Sequence, residues 1–177
     1  VGERDFKKAE VFLRKSVDIN PKDINTLVNL ACVLKDLGNP KEAENFLRNA
    51  LEINPTYEIA LTNLGAVLNE LERINEGERY LRKALNINAA SPMALNNLGN
   101  ILSKKKNNSE AEFCYRKAIE IKSDFSLAYS NLGSLLSKQG NLTEAEKFTQ
   151  KAINFNPNFE LAYVNLGSIK LDLVKLN

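Results

Sequence analysis

Residues 20–53 read NPKDINTLVNLACVLKDLGNPKEAENFLRNALEI, and the same pattern returns along the rest of the chain. Equivalent positions are 34 residues apart, as Leu30 and Leu64 show. The columns with this spacing are Leu30, Leu64, Leu98, Leu132 and Leu166; Asn29, Asn63, Asn97, Asn131 and Asn165; Glu10, Glu44, Glu78, Glu112 and Glu146; and Ala50, Ala84, Ala118 and Ala152. A fixed period of this length is typical of a solenoid, in which each repeat buries its apolar face against its neighbours.

Each repeat predicts two helices, which we call A and B. Helix A places apolar residues at i, i+3, i+4 and i+7, so one face packs against its own helix B. A small residue follows the column leucine in every copy, and this predicts a close approach of the two helices. These small residues are Ala31, Gly65, Gly99, Gly133 and Gly167.

The connection between helices A and B carries turn and cap residues. Gly38 and Gly140 can adopt the left-handed conformation that ends helix A. Glu72 and Lys106 stand at the equivalent places, where that conformation would cost about 1–2 kcal/mol, so we expect those two turns to have a different shape. Helix B is expected to begin with a side-chain cap and a capping-box glutamate. The residues are Asn39, Asn107 and Asn141, with Glu42, Glu110 and Glu144.

These features resemble the tetratricopeptide repeat (TPR) family. Its W-x-x-L-G-x-x-Y pattern appears as Leu61, Leu64, Gly65 and Leu68, and again as Tyr129, Leu132, Gly133 and Leu136. Its A-x-x-x-F…P pattern appears as Ala43, Leu47 and Pro55. The resemblance implies an all-α fold, a right-handed α-solenoid of antiparallel helix pairs that winds into a TPR superhelix.

We expect one TPR array over residues 1–177. It divides into a partial repeat at 1–19, complete repeats at 20–53, 54–87, 88–121 and 122–155, and a partial terminal repeat at 156–177. Because the sequence begins in mid-repeat without an initiator Met, we expect a fragment of a longer protein. The last helix carries a broad apolar stripe, with Lys170 at the tyrosine or leucine position. It is interpreted either as a C-terminal cap or as the exposed end of a truncated array, and the second interpretation predicts contact with another molecule, including self-association through the C-terminal end.

Composition limits the partners. The chain has 24 Lys plus Arg against 22 Asp plus Glu, a net charge of +2, which gives no electrostatic case for binding nucleic acid or an anionic membrane. No apolar run approaches the roughly 18 residues of a membrane span. Cys32 and Cys114 occupy different places in different repeats. This argues against a disulfide and favours a reducing, intracellular setting, so the expected location is the cytoplasm.

The sequence offers no catalytic site, and we expect a chain that is not an enzyme by itself. It contains no histidine, no CxxC pair and no glycine-rich phosphate loop after a strand. We therefore expect no catalytic residue, no metal site and no cofactor. The Lys104–Lys106 run closes a helix A, where cations oppose the helix dipole.

The family resemblance places the A helices on the concave surface, with the asparagine column among the residues that line it. In all, it places five columns there. They are, in chain order within the helix, Asn25, Ile59, Met93, Leu127 and Leu161; Val28, Thr62, Asn96, Ser130 and Val164; the asparagine column itself; Cys32, Ala66, Asn100, Ser134 and Ser168; and Lys35, Asn69, Ser103, Ser137 and Leu171. An asparagine amide has an acceptor and two donor hydrogens, so it can pair with the backbone of an extended peptide without reading side chains. The predicted peptide-binding residues are Asn29, Asn63, Asn97, Asn131, Asn165, Asn96 and Asn100. The alternative is that these amides bond within their own layer of helices.

The SNLG, NNLG and TNLG strings are similar to the TPR domain of O-GlcNAc transferases, in which an asparagine ladder holds extended substrate segments. That resemblance implies a protein-interaction module for a protein or peptide partner. The alternatives are the substrate-recruiting region of a larger transferase and a self-associating scaffold. A chaperone-type carboxylate clamp is excluded, because the first four groove columns of helix A contain no Lys or Arg.

Overall fold

The computed structural model describes residues 3–176, and the side chains of residues 5–175. Within this range the chain forms ten α-helices and no strand. The helices are α1 (Glu3–Ile19), α2 (Ile24–Asp36), α3 (Pro40–Ile53), α4 (Glu58–Glu70), α5 (Ile74–Ile87), α6 (Pro92–Lys104), α7 (Asn108–Ile121), α8 (Ser126–Lys138), α9 (Leu142–Phe155) and α10 (Glu160–Leu176). The predicted all-α class is confirmed.

The helices fall into two compact units. Unit 1, Val1–Ala89, contains α1 to α5, and unit 2, Ala90–Asn177, contains α6 to α10. In unit 1 the pairs α2/α3 and α4/α5 are joined by short turns, and α2 also contacts α4. In unit 2 the pairs are α6/α7 and α8/α9, and α8 contacts both α6 and α10. The A helices of successive pairs therefore pack directly on one another inside each unit.

Small residues allow the close approach of helices A and B that the sequence predicts. A Cβ atom added at Gly65 would lie 2.5 Å from Cγ of Leu81, and one added at Gly99 would lie 2.6 Å from Cε1 of Tyr115. Both distances are shorter than a van der Waals contact. A Cβ atom at Gly167 would meet nothing within 4 Å.

The turns at Glu72 and Lys106 do not differ in shape from the glycine turns, so that expectation is wrong. Glu72 has φ 59° and Lys106 has φ 61°, close to 79° at Gly38 and 85° at Gly140. Each turn is closed by a backbone hydrogen bond to the end of helix A, as from Asn107 N to the Leu102 carbonyl at 2.9 Å. This closure holds the left-handed conformation even where the residue is not glycine.

The predicted capping boxes are also wrong. Asn39, Asn107 and Asn141 stand at the N-cap positions of α3, α7 and α9, but none makes a side-chain cap hydrogen bond. The side chains that do cap belong to A helices: Asp23 accepts from Thr26 N at 3.1 Å, and Ser91 accepts from Ala94 N at 3.4 Å.

Candidate functional site

The asparagine column lies on the A helices at positions that solvent can reach. Asn29 on α2 is exposed, and Asn63 on α4 is half-buried. In unit 2, Asn97 on α6, Asn131 on α8 and Asn165 on α10 are all half-buried. Each helix contributes one amide at the same place in its repeat, so the column forms a short line across the A helices of each unit.

An apolar column accompanies the amides one helical turn earlier. Residues four apart share a helix face, so Met93 belongs with Asn97 and Leu161 with Asn165. Met93 is 45% exposed and Leu161 is 48% exposed, while Leu127 between them is half-buried. In unit 1 the equivalent place is taken by Ile59, which is exposed, and by Asn25, which accepts a hydrogen bond from Oη of Tyr57 at 2.7 Å. Unit 2 thus carries an uninterrupted apolar line beside its amide line.

The column that precedes each asparagine by one residue does not line this surface as the resemblance implied. Its members Val28, Thr62, Asn96 and Ser130 are buried, and only Val164 on α10 is exposed, at 63%. Within each unit the physical reason is the direct packing of successive A helices, which places Val28, Asn96 and Ser130 between neighbouring helices. Asn96 is 0% exposed and cannot meet a peptide.

Two amides of the column are hydrogen-bonded to this buried row. Asn131 Nδ2 donates to Oδ1 of Asn96 at 2.9 Å, and Asn165 Nδ2 donates to Oγ of Ser130 at 3.0 Å. Each bond joins an A helix to the preceding A helix, and the residues are 35 apart in both cases. Each bond uses one N–H, which leaves the amide carbonyl and a second N–H for another partner. The alternative of bonding within the helix layer is therefore partly realised in unit 2.

In unit 1, Asn63 on α4 cannot make the corresponding bond to α2. The residue before the column there is Val28, whose side chain has no acceptor. Correspondingly, the Asn63 side chain has no hydrogen-bond partner among the side chains that the structure describes. The difference between Asn63 and Asn131 follows from one residue in the neighbouring helix.

Asn96 and Asn100 each use their side-chain oxygen within the protein. Oδ1 of Asn96 accepts from Asn131, whereas its Nδ2 is buried and finds no hydrogen-bond partner in the described part of the chain. A buried donor without a partner costs about 1–3 kcal/mol. Asn100 is half-buried, and its Oδ1 accepts from Oη of Tyr115 at 2.8 Å. Burial raises the pKa of Tyr115 above its ordinary value, so the phenol stays protonated and donates this bond.

Family models assign the repeats. Tetratricopeptide repeat models match residues 1–68, 34–101, 92–125 and 126–159. The chain belongs to the tetratricopeptide repeat family. TPR repeats generally serve as non-catalytic scaffolds for protein–protein interaction, which agrees with the predicted class of function. Among curated protein sequences none matches this TPR chain.

Solved structures agree with this assignment. The crystal structure of MamA is 25% identical with a TM-score of 0.67, and the match covers 86% of this chain and 90% of that one. YrrB, described as a TPR protein with an unusual peptide-binding site, is 24% identical with a TM-score of 0.63 and coverages of 89% and 81%. TTC0263, a thermophilic TPR protein in Thermus thermophilus, is 20% identical with a TM-score of 0.86 and coverages of 94% and 91%. These likenesses establish the TPR solenoid fold.

A second periodic feature of this TPR chain lies on the B helices and was missed from the sequence. Arg14 donates two hydrogen bonds to the Glu42 carboxylate at 2.8 Å each, across the α1/α3 interval. Arg48 makes the same link to Glu76 at 2.8 Å, and in unit 2 Arg116 reaches Glu144 at 2.8 Å. The hydrogen bonds from arginine hold the pKa of Glu42 and of Glu76 below their ordinary values. The recurrence of arginine at 14, 48, 82 and 116 was the available signal.

Membrane insertion by a helix finds no support in the TPR repeats. None of the helices in residues 3–176 combines the length and the apolar character that crossing a bilayer requires.

Proposed function

We propose that the A-helix face of unit 2 binds an extended polypeptide segment, mainly through the backbone of that segment. The observation that carries the proposal is the pairing of two lines on one face, an amide line and an apolar line. The amides can donate to peptide carbonyls and accept from peptide N–H groups, and the apolar side chains can cover part of the peptide from water. The amide line is Asn97, Asn131 and Asn165, and the apolar line is Met93, Leu127 and Leu161.

The spacing of the lines favours a particular conformation of the segment. Packed helices lie about 8–10 Å apart. A polyproline II segment repeats every three residues, about 9.3 Å at 3.1 Å per residue. A β-strand repeats on one side every two residues, about 6.7 Å. The polyproline II period fits the helix spacing, so every third residue of the segment would face the apolar line and the backbone between would face the amides.

Other observations support binding of a polypeptide. TPR proteins are protein-interaction modules, and YrrB is described as having a peptide-binding site. We also propose that the asparagines act as in the asparagine ladder of O-GlcNAc transferases, which this column resembles and which holds extended substrate segments. On α2 and α4 the exposed Asn29 and half-buried Asn63 offer further amides of the same kind. Asn100, with its carbonyl held by Tyr115, would offer its amide N–H groups. We retain the single array of residues 1–177 as part of the proposal.

The test uses two fluorescently labelled peptides of equal length and composition. One has leucine at every third position, the other at every second, and both have uncharged polar residues elsewhere. Fluorescence anisotropy should show tighter binding of the first peptide. Replacing Asn97, Asn131 and Asn165 by alanine should weaken that binding at least about 10-fold, since each peptide hydrogen bond contributes about 0.5–1.5 kcal/mol.

A matched control replaces three exposed asparagines of B helices, Asn45, Asn49 and Asn86, by alanine. This variant should bind as the wild type does, and both triple variants should keep their far-UV circular dichroism. Absence of binding by either peptide, or equal affinity of the two triple variants, would contradict the proposal.

Self-association is a second candidate, and the exposed face of α10 favours it. Val164, Leu171 and Val174 are exposed there, and the surface above Gly167 is open. Contiguous apolar surface of this kind is common at protein interfaces. Sedimentation velocity over a range of concentrations tests it: a rising sedimentation coefficient supports association, and a constant monomer value excludes it.

A further inference from the structure

Two buried polar residues in unit 2 contact no solvent and yet bond to the amide line. Asn96 on α6 and Ser130 on α8 are both 0% exposed. Their side-chain oxygens accept from Asn131 Nδ2 at 2.9 Å and from Asn165 Nδ2 at 3.0 Å. In the equivalent place on α2 the chain has valine, so a polar residue is not required there for two A helices to pack.

The choice of residue in this buried row decides what the next helix presents to solvent. An asparagine whose Nδ2 donates to a buried oxygen can no longer rotate freely about its last side-chain bond. Its carbonyl and its second N–H are then held in one orientation and take no part in that hydrogen bond. A free asparagine such as Asn63 must lose that rotational freedom when a ligand binds, which reduces affinity.

We propose that Asn96 and Ser130 are positioning residues that orient the amides of Asn131 and Asn165 for binding to a peptide backbone. This inference rests on the proposed function of the amide line, and it adds residues that a peptide never touches. It assigns a role to the buried Asn96, whose Nδ2 has no hydrogen-bond partner within the described residues. It also makes unit 2 better organised for backbone binding than the Asn63 position of unit 1.

The chain itself supplies the substitutions for the test. Asn96→Val copies the residue that stands at 28, and removes the acceptor of the Asn131 bond. Asn96→Ser copies the residue at 130, and keeps an oxygen in the row. Thr62→Val is the matched control, because Oγ1 of Thr62 donates to Glu58 of its own helix at 2.8 Å.

The first measurement needs no peptide. Heteronuclear NMR follows the side-chain NH₂ group of Asn131, with Asn63 as the internal reference for an unheld amide. The wild type should show slow solvent exchange for one Asn131 proton, Asn96→Val should bring that exchange to the Asn63 rate, and Asn96→Ser should restore it at least in part. Thr62→Val should change nothing at Asn131. Unchanged exchange in Asn96→Val would overturn the positioning role, whatever the protein binds.

The second measurement is the affinity for the peptide that has leucine at every third position. Asn96→Val should weaken binding about 2- to 10-fold, the range expected for ordering one side chain. Ser130→Ala should have a similar effect through Asn165. Urea denaturation of each variant checks that the helices remain folded. If Asn96→Val frees the amide without loss of affinity, the positioning inference is wrong; if the wild type binds no peptide, the proposed function is wrong instead.

Discussion

Lys106 offers a direct test of the energy held in the turns of the repeats. It is exposed and has φ 61°, a left-handed conformation that costs a residue with a Cβ atom about 1–2 kcal/mol. Its side chain makes no hydrogen bond or ion pair in the part of the chain that the structure describes. Replacing it by glycine therefore removes backbone strain without removing a hydrogen bond or an ion pair.

The net gain is smaller than the strain, because glycine is more flexible in the unfolded chain. That flexibility opposes folding by about 0.4–1 kcal/mol. At the middle of both ranges, the difference leaves an expected stabilisation of about 0.8 kcal/mol for Lys106→Gly. The reciprocal change, Gly140→Lys, should destabilise by a similar amount. Gly140 has φ 85° and open space where its Cβ atom would lie, so the backbone alone decides the result.

The assay is urea denaturation followed by far-UV circular dichroism, with native-state hydrogen exchange as a local measurement. Exchange of the Asn107 amide, which donates to the Leu102 carbonyl at 2.9 Å, should slow in Lys106→Gly. The Asn141 amide, which donates to Leu136 at 2.9 Å, should exchange faster in Gly140→Lys. Equal stability of the wild type and both variants would refute the account of these turns.

Two further predictions concern packing and charge. Urea denaturation should show Gly99→Ala destabilised by about 1–2 kcal/mol, because its Cβ would lie 2.6 Å from Cε1 of the Tyr115 ring. Gly167→Ala has open space at the same place and should be stabilised by up to about 1 kcal/mol. Equal effects of the two substitutions would contradict the close approach of the helices at Gly99. Glu42→Gln should be less stable than the wild type near neutral pH. The pKa of Glu42 is depressed by Arg14, so its contribution is present above the ordinary carboxyl pKa and is lost as pH falls through the folded value. A stability difference that persists in strong acid would rule out this ion pair as its cause.

The features that follow from local periodicity were predictable from the sequence. The apolar spacing of Leu27, Leu30 and Leu34 defines a buried face, and all three side chains are buried. Glycine at 65 and 99 predicted close helix pairs, because glycine inside a helix is unfavourable unless space is short. Both arguments need only the residues within one repeat.

The glutamates of helix B show where local argument fails. A glutamate three residues after an N-cap asparagine is a normal capping-box signal, yet Glu42 and Glu144 bond to arginines of the preceding B helix. A carboxylate–guanidinium pair is charged on both sides and can form two parallel bonds, as Arg14 and Glu42 do, whereas a capping bond to a backbone amide is single and charged on one side only. The competing partner lies 28 residues away, and nothing within the repeat indicates it.

The candidate site depends on the same kind of information. The sequence establishes a period of 34 residues. The side-chain hydrogen bonds between successive A helices of unit 2 join residues 35 apart, whereas the arginine–glutamate bonds between B helices join residues 28 apart. For the A helices, 35 exceeds the period by one residue, so successive A helices pack almost level. For the B helices, 28 falls six residues short of the period, which amounts to about 9 Å along a helix axis. Level packing has two consequences for the amides. It aligns Asn97, Asn131 and Asn165 into one line, and it places the preceding residue of one helix against the asparagine of the next. The buried row and the amide line therefore arise from the same packing, in which the buried residue of one A helix orients the half-buried amide of the next.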